Sequence, residues 1–291
     1  MQKIIPHLWY DKEAKEAVAF YVSLFPNSKI THSSTLHDTP SGDADVLTFE
    51  LAGCGFMAIS AGPYFKFNPS ISLLVACESA EEVDKLWAAL KTEALMDIGG
   101  SDVHPFADRY GWCKDKYGLT WQLYFKSDWK ATQKITPQLM FTGANAGKCE
   151  EALNFYASVF KNSKVGGLAK YPAGPDEGKI MHGAVTLEGQ DFYAMESSMN
   201  HDFTFNEAVS LLIRAENQEE IDYYSDKLSA VPEAEQCGWL KDKYGVSWQV
   251  SPTDMEKWMA GDPEQVKRVT EAFLKMKRFN LAELEKAAKG E

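Results

Sequence analysis

The chain spells the same message twice. Residues 111–122 read GWCKDKYGLTWQ and residues 238–249 read GWLKDKYGVSWQ, identical at nine of twelve positions. Two further pairs precede them in the same order. EAVAFYVSLFPNSK at 16–29 returns as EALNFYASVFKNSK at 151–164, and FNPSISLLV at 67–75 returns as FNEAVSLLI at 205–213. A period of about 130 residues is too long for a solenoid unit and suits a small domain. The chain therefore reads as two copies of one fold, and function is to be sought between the copies. The offset is 135 at the first pair, 138 at the FN pair and 127 at the GW pair, so the first copy holds about 11 extra residues between 75 and 111. Gly99-Gly100-Ser101 and His104-Pro105 fall there, which predicts a loop or flap.

Within each copy the apolar spacing gives the elements. Ala14, Val18, Tyr21 and Phe25 share one helical face, as do Cys149, Leu153, Tyr156 and Phe160. Ser79 with Glu82, and Asn217 with Glu220, are capping patterns that open a second helix in each copy. Strand-like stretches lie near 28–35, 45–52, 55–60 and 70–76. Asp115–Gly118 and Asp242–Gly245 read as turns with glycine at a left-handed position. Trp121 and Trp248 alternate with the neighbouring Gln122 and Gln249, so the tryptophans face a core and the glutamines the other side. Residues 253–291 have no partner in the first copy. Thr253–Glu256 reads as a capping box, Asp262-Pro263 as a helix start, and Val266, Val269, Phe273 and Met276 as an apolar stripe. The expected division is 1–129, 130–252 and a helical extension over 253–291.

The net charge of −12 disfavours nucleic acid and anionic membranes as partners, since both need clustered Lys and Arg. In the extension eight basic and eight acidic residues balance. Five cysteines without a CxxC form neither a disulfide framework nor a zinc knuckle. No secretion-type apolar start and no run of 18 apolar residues is present. A cytoplasmic location is expected.

These segments, with IIPHLWYD and ITPQLMF, resemble the vicinal oxygen chelate superfamily of glyoxalase I, bleomycin-resistance proteins and extradiol dioxygenases. They are most similar to its PhnB-like branch, often labelled 3-demethylubiquinone-9 3-methyltransferase. The resemblance covers essentially the whole chain. It implies an α+β fold of two tandem βαβββ modules whose curved sheets make a cup, here with the helical extension added. It also implies that, where a divalent metal is present, its ligands come from first and last strands, which places His7, Gln138, Gln122 and Gln249 at those positions. Metal-binding members usually carry Glu where the WQ glutamines stand. One imidazole, three amides and no anion make a weak site for a hard cation. The alternative use of the four is hydrogen bonding to a ligand or to one another.

Other residues keep two readings open. His182 is a pocket histidine or a structural one. Glu196, aligned with Ser60, is a pocket carboxylate or a strand-end residue, and acid–base chemistry would need the two to converge. Phe67 and Phe205 either line the mouth of the cup or pack beneath a turn. His104 is a flap contact or an exposed loop residue. Residues 143–149 miss a phosphate loop in spacing and in their final Cys. No GxGxxG opens a helix after a strand, and no GxSxG is present. The leading reading is a small-molecule-binding protein or a metal-independent enzyme of the glyoxalase and bleomycin-resistance type, monomeric or homodimeric, with no cofactor assigned. The rival is a metal-dependent lyase, isomerase or dioxygenase acting on a small oxygenated substrate.

Overall fold

The computed structural model describes residues 2–39, 42–197 and 199–291. The first copy runs β1 (Ile4–Tyr10), α1 (Ala14–Leu24), β2 (Lys29–Thr39), β3 (Gly42–Leu51), β4 (Cys54–Ser60), β5 (Ile71–Ala76), α2 (Ala80–Leu90), β6 (Glu93–Gly100), β7 (Arg109–Lys114) and β8 (Thr120–Phe125). The second runs β9 (Ile135–Phe141), α3 (Cys149–Val159), β10 (Lys164–Lys170), β11 (Ile180–Leu187), β12 (Gln190–Glu196), β13 (Val209–Ala215), α4 (Gln218–Leu228), β14 (Trp239–Lys241) and β15 (Ser247–Pro252). The extension is α5 (Met255–Met259), α6 (Pro263–Phe273) and α7 (Leu281–Lys289). Each copy is itself two halves, a strand and a helix followed by further strands.

The halves pair across copies. Among the described residues, the first sheet has the order β14-β15-β13-β1-β4-β3-β2 and the second β10-β11-β12-β9-β5-β8-β7-β6. β1 runs antiparallel to β13 with His7 opposite Ser210, and β5 antiparallel to β9 with Ser72 opposite Gln138. Each sheet thus joins one half of the first copy to one half of the second. α1 and α4 lie on the first sheet, α2 and α3 on the second. One continuous apolar core runs through the helices and the sheet faces they cover.

Strand alternation decides what enters that core. On β1, Ile4, Leu8 and Tyr10 enter it, which turns Ile5, His7 and Trp9 to the opposite face. Trp121 and Trp248 are fully buried, as the alternation predicts. Ser79 accepts from the Glu82 N–H and Asn217 from the Glu220 N–H, so both predicted caps form. The extra residues of the first copy differ from expectation in part. Glu93–Gly100 forms the edge strand β6, paired with β7 through two register shifts, and only the turn beyond it is a loop. In the extension, Asp262 caps α6 by accepting from the Gln265 N–H. The predicted box at 253–256 does not form: α5 has Asp254 at its cap without a side-chain bond, and Thr253 turns its hydroxyl to the Ala215 carbonyl. No helix among the described residues is long and apolar enough to cross a membrane.

The repeated KDKYG text is a buried carboxylate with four donors. In the first copy Asp115 accepts from the Tyr117 and Leu119 N–H groups, from the Tyr21 hydroxyl at 2.7 Å and from the Trp121 indole at 2.8 Å. In the second, Asp242 accepts from the Tyr244 and Val246 N–H groups, from the Tyr156 hydroxyl at 2.7 Å and from the Trp248 indole at 2.9 Å. Gly118 (φ 91°) and Gly245 (φ 86°) take the left-handed position each turn requires. Around each turn, Glu16 accepts from Lys116 and Tyr117, and Glu151 from Lys243 and Tyr244. The first and third repeated segments are thus one physical unit. Burial pushes both carboxyls above their ordinary range, against the downward pull of their donors. Asp242→Asn would turn an NH2 toward the Trp248 indole N–H, leaving two buried donors face to face. We expect a loss of about 2 kcal/mol or more in stability, measured by urea unfolding.

Candidate functional site

The sheet face turned away from the helices carries the polar side chains singled out above. On the first sheet, His7 (β1), Ser210 (β13) and Gln249 (β15) stand on successive strands, and Gln249 Nε2 donates to Ser210 Oγ at 2.9 Å. On the second, Gln138 (β9), Ser72 (β5) and Gln122 (β8) repeat this layout, and Gln122 Nε2 donates to Ser72 Oγ at 2.8 Å. The four residues drawn from the resemblance are therefore divided, His7 with Gln249 and Gln138 with Gln122. The cause is the pairing of β1 with β13 and of β5 with β9.

The two faces have different fates, and each is set by a segment that the duplication does not repeat. The second is packed full. Tyr110, Trp112, Met140 and Ala107 cluster there with Tyr124, Met195 and Phe203. The Tyr110 hydroxyl donates to Gln122 Oε1 at 2.8 Å, and Gln138 Nε2 contacts the Met195 sulfur at 3.0 Å. The turn after β6 pins this cluster. His104, expected in an exposed loop or a flap, is 4% exposed, bonds to the Asp97 carbonyl at 2.8 Å and packs edge-on against Tyr110. The rings of its neighbourhood shield it from water, and its role there is structural.

The first face and the extension form a partly open cavity of about 160 Å³. Sheet residues Leu36, Val46, Met57, Ile59 and Leu212 form its floor and sides. Met255, Met259, Phe273 and Phe279 of the extension form its cover. The exposed wall is mostly apolar, although Ser34, Thr48, Gln249, Ser251 and Thr253 also contribute to the lining. His7 is 3% exposed, its Nδ1 has no hydrogen-bond partner within the protein, and its ring stands edge-on to Trp239 at 5.5 Å. Burial lowers its pKa to about 3, so the imidazole is neutral near pH 7. Nε2 of His32 is likewise buried without a partner. The charged lining residues Arg214 and Glu256 form an ion pair with each other.

His32, Trp239 and the extension side chains escaped the sequence reading. His32 follows a register shift on β2 that interrupts its alternation. The cover belongs to a segment with no counterpart against which to compare it.

The remaining candidates fall elsewhere. His182 is on the exposed part of β11 with its ring 5.1 Å from Tyr193, on the same sheet side as the packed cluster. Glu196 faces the helix side. Its two oxygens accept from the Cys149 N–H at 3.0 Å and the Ile180 N–H at 2.7 Å. Ser60, its aligned partner, accepts from the Ala14 N–H in the same way, so both hold the start of a helix. His182 and Glu196 do not converge, because strand alternation sends them to opposite faces. Phe205 packs on Phe141 inside the core, and Phe67 packs on Tyr10 beside an open hollow of about 500 Å³. The FN asparagines bind across the copies. Asn68 donates to the Thr204 carbonyl at 3.0 Å and Asn206 to the Lys66 carbonyl at 2.8 Å.

The donor set does not fit the divalent metal that the resemblance implies. Among the described residues no three His, Cys, Asp or Glu side chains form a group suited to an ion. His7 has one amide for company, and the other two amides belong to the packed face, where the Gln122 oxygen is occupied by Tyr110. Without an anionic donor, a hard cation would lose more hydration than such a set returns.

Because His7 binds a proton more weakly in the folded chain than when unfolded, its contribution to stability is present above pH 6.5 and is lost as pH falls. Between pH 7.5 and 5 that loss is about 2 kcal/mol. His7→Gln should flatten this part of the pH–stability curve, read from denaturation midpoints at each pH.

A family model described as 3-demethylubiquinone-9 3-methyltransferase matches residues 2–124 and again 133–251. The PhnB protein of Bacillus cereus is 37% identical over 43% of this chain and 100% of its own, with a TM-score of 0.39. Two variants of glyoxalase I from Zea mays cover 87% of this chain at 12% and 13% identity, with TM-scores of 0.52 and 0.53, and 96% and 95% of their own chains. At that identity the likeness is one of fold. No curated protein matches the chain.

Proposed function

We propose that this chain, which belongs to the 3-demethylubiquinone-9 3-methyltransferase-like, PhnB-like family within the glyoxalase superfamily, binds a small molecule in the cavity between its first sheet and its C-terminal extension. Membership supports a small-molecule-binding or enzymatic role of the glyoxalase and bleomycin-resistance type. The observation that carries the reading is His7, a residue of the cavity lining whose buried Nδ1 meets no partner within the protein. Buried polar groups are ordinarily hydrogen-bonded, so an imidazole left without a protein partner in a cavity lining points to a ligand or ordered water.

The action of the site is metal-independent. It can hold a molecule away from water, orient one polar group through His7, and exclude solvent with the extension. Neutral His7 can accept a proton from a bound ligand or donate a hydrogen bond to it. Its low proton affinity makes it a weak base near neutral pH, which favours binding or sequestration over proton abstraction. One chain supplies both halves of each sheet, so the site needs no second copy to complete it. Its five free cysteines suit a reducing cytoplasm.

A thermal-shift panel of small aromatic and anionic compounds tests this. At least one compound should raise the melting temperature of the full chain. Met259→Trp, which fills the cavity from the cover, should remove that rise while leaving the far-ultraviolet dichroism unchanged. Stabilisation that survives Met259→Trp would locate the ligand elsewhere.

A further inference from the structure

We infer that the cavity under the extension selects an uncharged single-ring compound bearing one hydroxyl, a phenol in its simplest form, and holds that hydroxyl at His7. This rests on the cavity reading above and adds the ligand's size, charge and polar group.

Size comes first. An apolar cavity of roughly 150 Å³ accepts benzene, and this one is about 160 Å³. A monocycle fills this space; a fused polycycle or a peptide-like conjugate would project beyond it. The cover is firmly built. Val269 and Leu284 of the extension are fully buried, and the Cys237 and Gly238 N–H groups donate to the Met276 and Lys277 carbonyls at 2.8 and 2.7 Å.

Charge comes second. An ion entering such a space needs an opposite charge to replace its water. Arg214, the one cationic residue of the lining, is paired with Glu256, and no lysine is among the lining residues. His7 is neutral at physiological pH. A carboxylate or phosphonate would therefore be desolvated with no unpaired Lys or Arg of the lining to meet it.

The polar group comes third. A neutral imidazole carries one N–H and one bare nitrogen, so the ring nitrogen that meets a ligand is a donor in one tautomer and an acceptor in the other. A hydroxyl answers either tautomer, whereas a ketone or ether answers only the first. Nε2 of His32, another lining residue, is also buried without a partner. The apolar lining and the edge-on Trp239 suit a ring lying beside His7.

Isothermal titration of the full chain with phenol, toluene and benzoate at pH 7 tests the inference. Phenol should bind about three- to tenfold more tightly than toluene, the worth of one net hydrogen bond. Benzoate should bind more weakly than both. His7→Leu should erase phenol's advantage and leave toluene binding in place, which also reports that the variant is folded. His7→Gln, which keeps a donor and an acceptor, should retain the advantage. Benzoate binding as tightly as phenol, or a phenol advantage that survives His7→Leu, would overturn the inference. Failure of phenol and toluene alike would overturn it too. In that event the cavity reading itself still stands if another compound stabilises the chain and loses its effect on Met259→Trp.

Discussion

Two buried carboxylates hold this architecture together. Asp115 sits in the turn between β7 and β8 of the second sheet, yet one of its donors, Tyr21, comes from α1 on the first sheet. Asp242 sits between β14 and β15 of the first sheet, and Tyr156 reaches it from α3 on the second. Each aspartate therefore fixes its own hairpin through two backbone donors and ties one sheet to the helix of the other. A buried carboxylate is costly unless every lone pair is met, and here four donors meet each one. The geometry of Tyr, Trp and turn is dictated as a set, which is why the repeated text survives as a whole phrase.

With the sheets locked in this way, the helix-covered faces form one core and the opposite faces are left to be closed separately. The closures differ. The turn after β6 presses His104 and Tyr110 into the second face and satisfies Gln122 from within. The extension roofs the first face and leaves His7 without a partner. The chemistry of each face thus follows from its cover more than from its floor, since the floors present matching arrangements of amide, serine and strand.

Much of this was legible in the sequence, and the failures share a cause. The duplication, the helix caps at Ser79, Asn217 and Asp262, the inward Trp121 and Trp248 and the helical extension all follow from local spacing. Alternation also assigns Gln122 and Gln249 to faces away from the core, whereas His7 and Gln138 are placed by the resemblance alone. It cannot say which strands of different copies lie side by side, because that depends on contacts more than a hundred residues apart, such as Ile4 with Ile213. Hence four residues expected around one cup are shared between two faces. Glu196 was ambiguous for a similar reason: its partners, Cys149 and Ile180, are distant in sequence, and only their N–H groups define its role. The Thr253 box failed because Ala215 offered its hydroxyl a competing acceptor.

The crosswise pairing of halves has a consequence for what a fused chain can become. Two separate identical subunits related by a twofold axis must build both of their cups alike, so any residue added to close one closes the other as well. Joining the copies end to end removes that obligation. An insertion in the first copy and a tail on the second each occur once, and each reaches a different face. One face can then be given over wholly to packing while the other keeps its hollow, a division of labour that no symmetric pair of subunits can adopt.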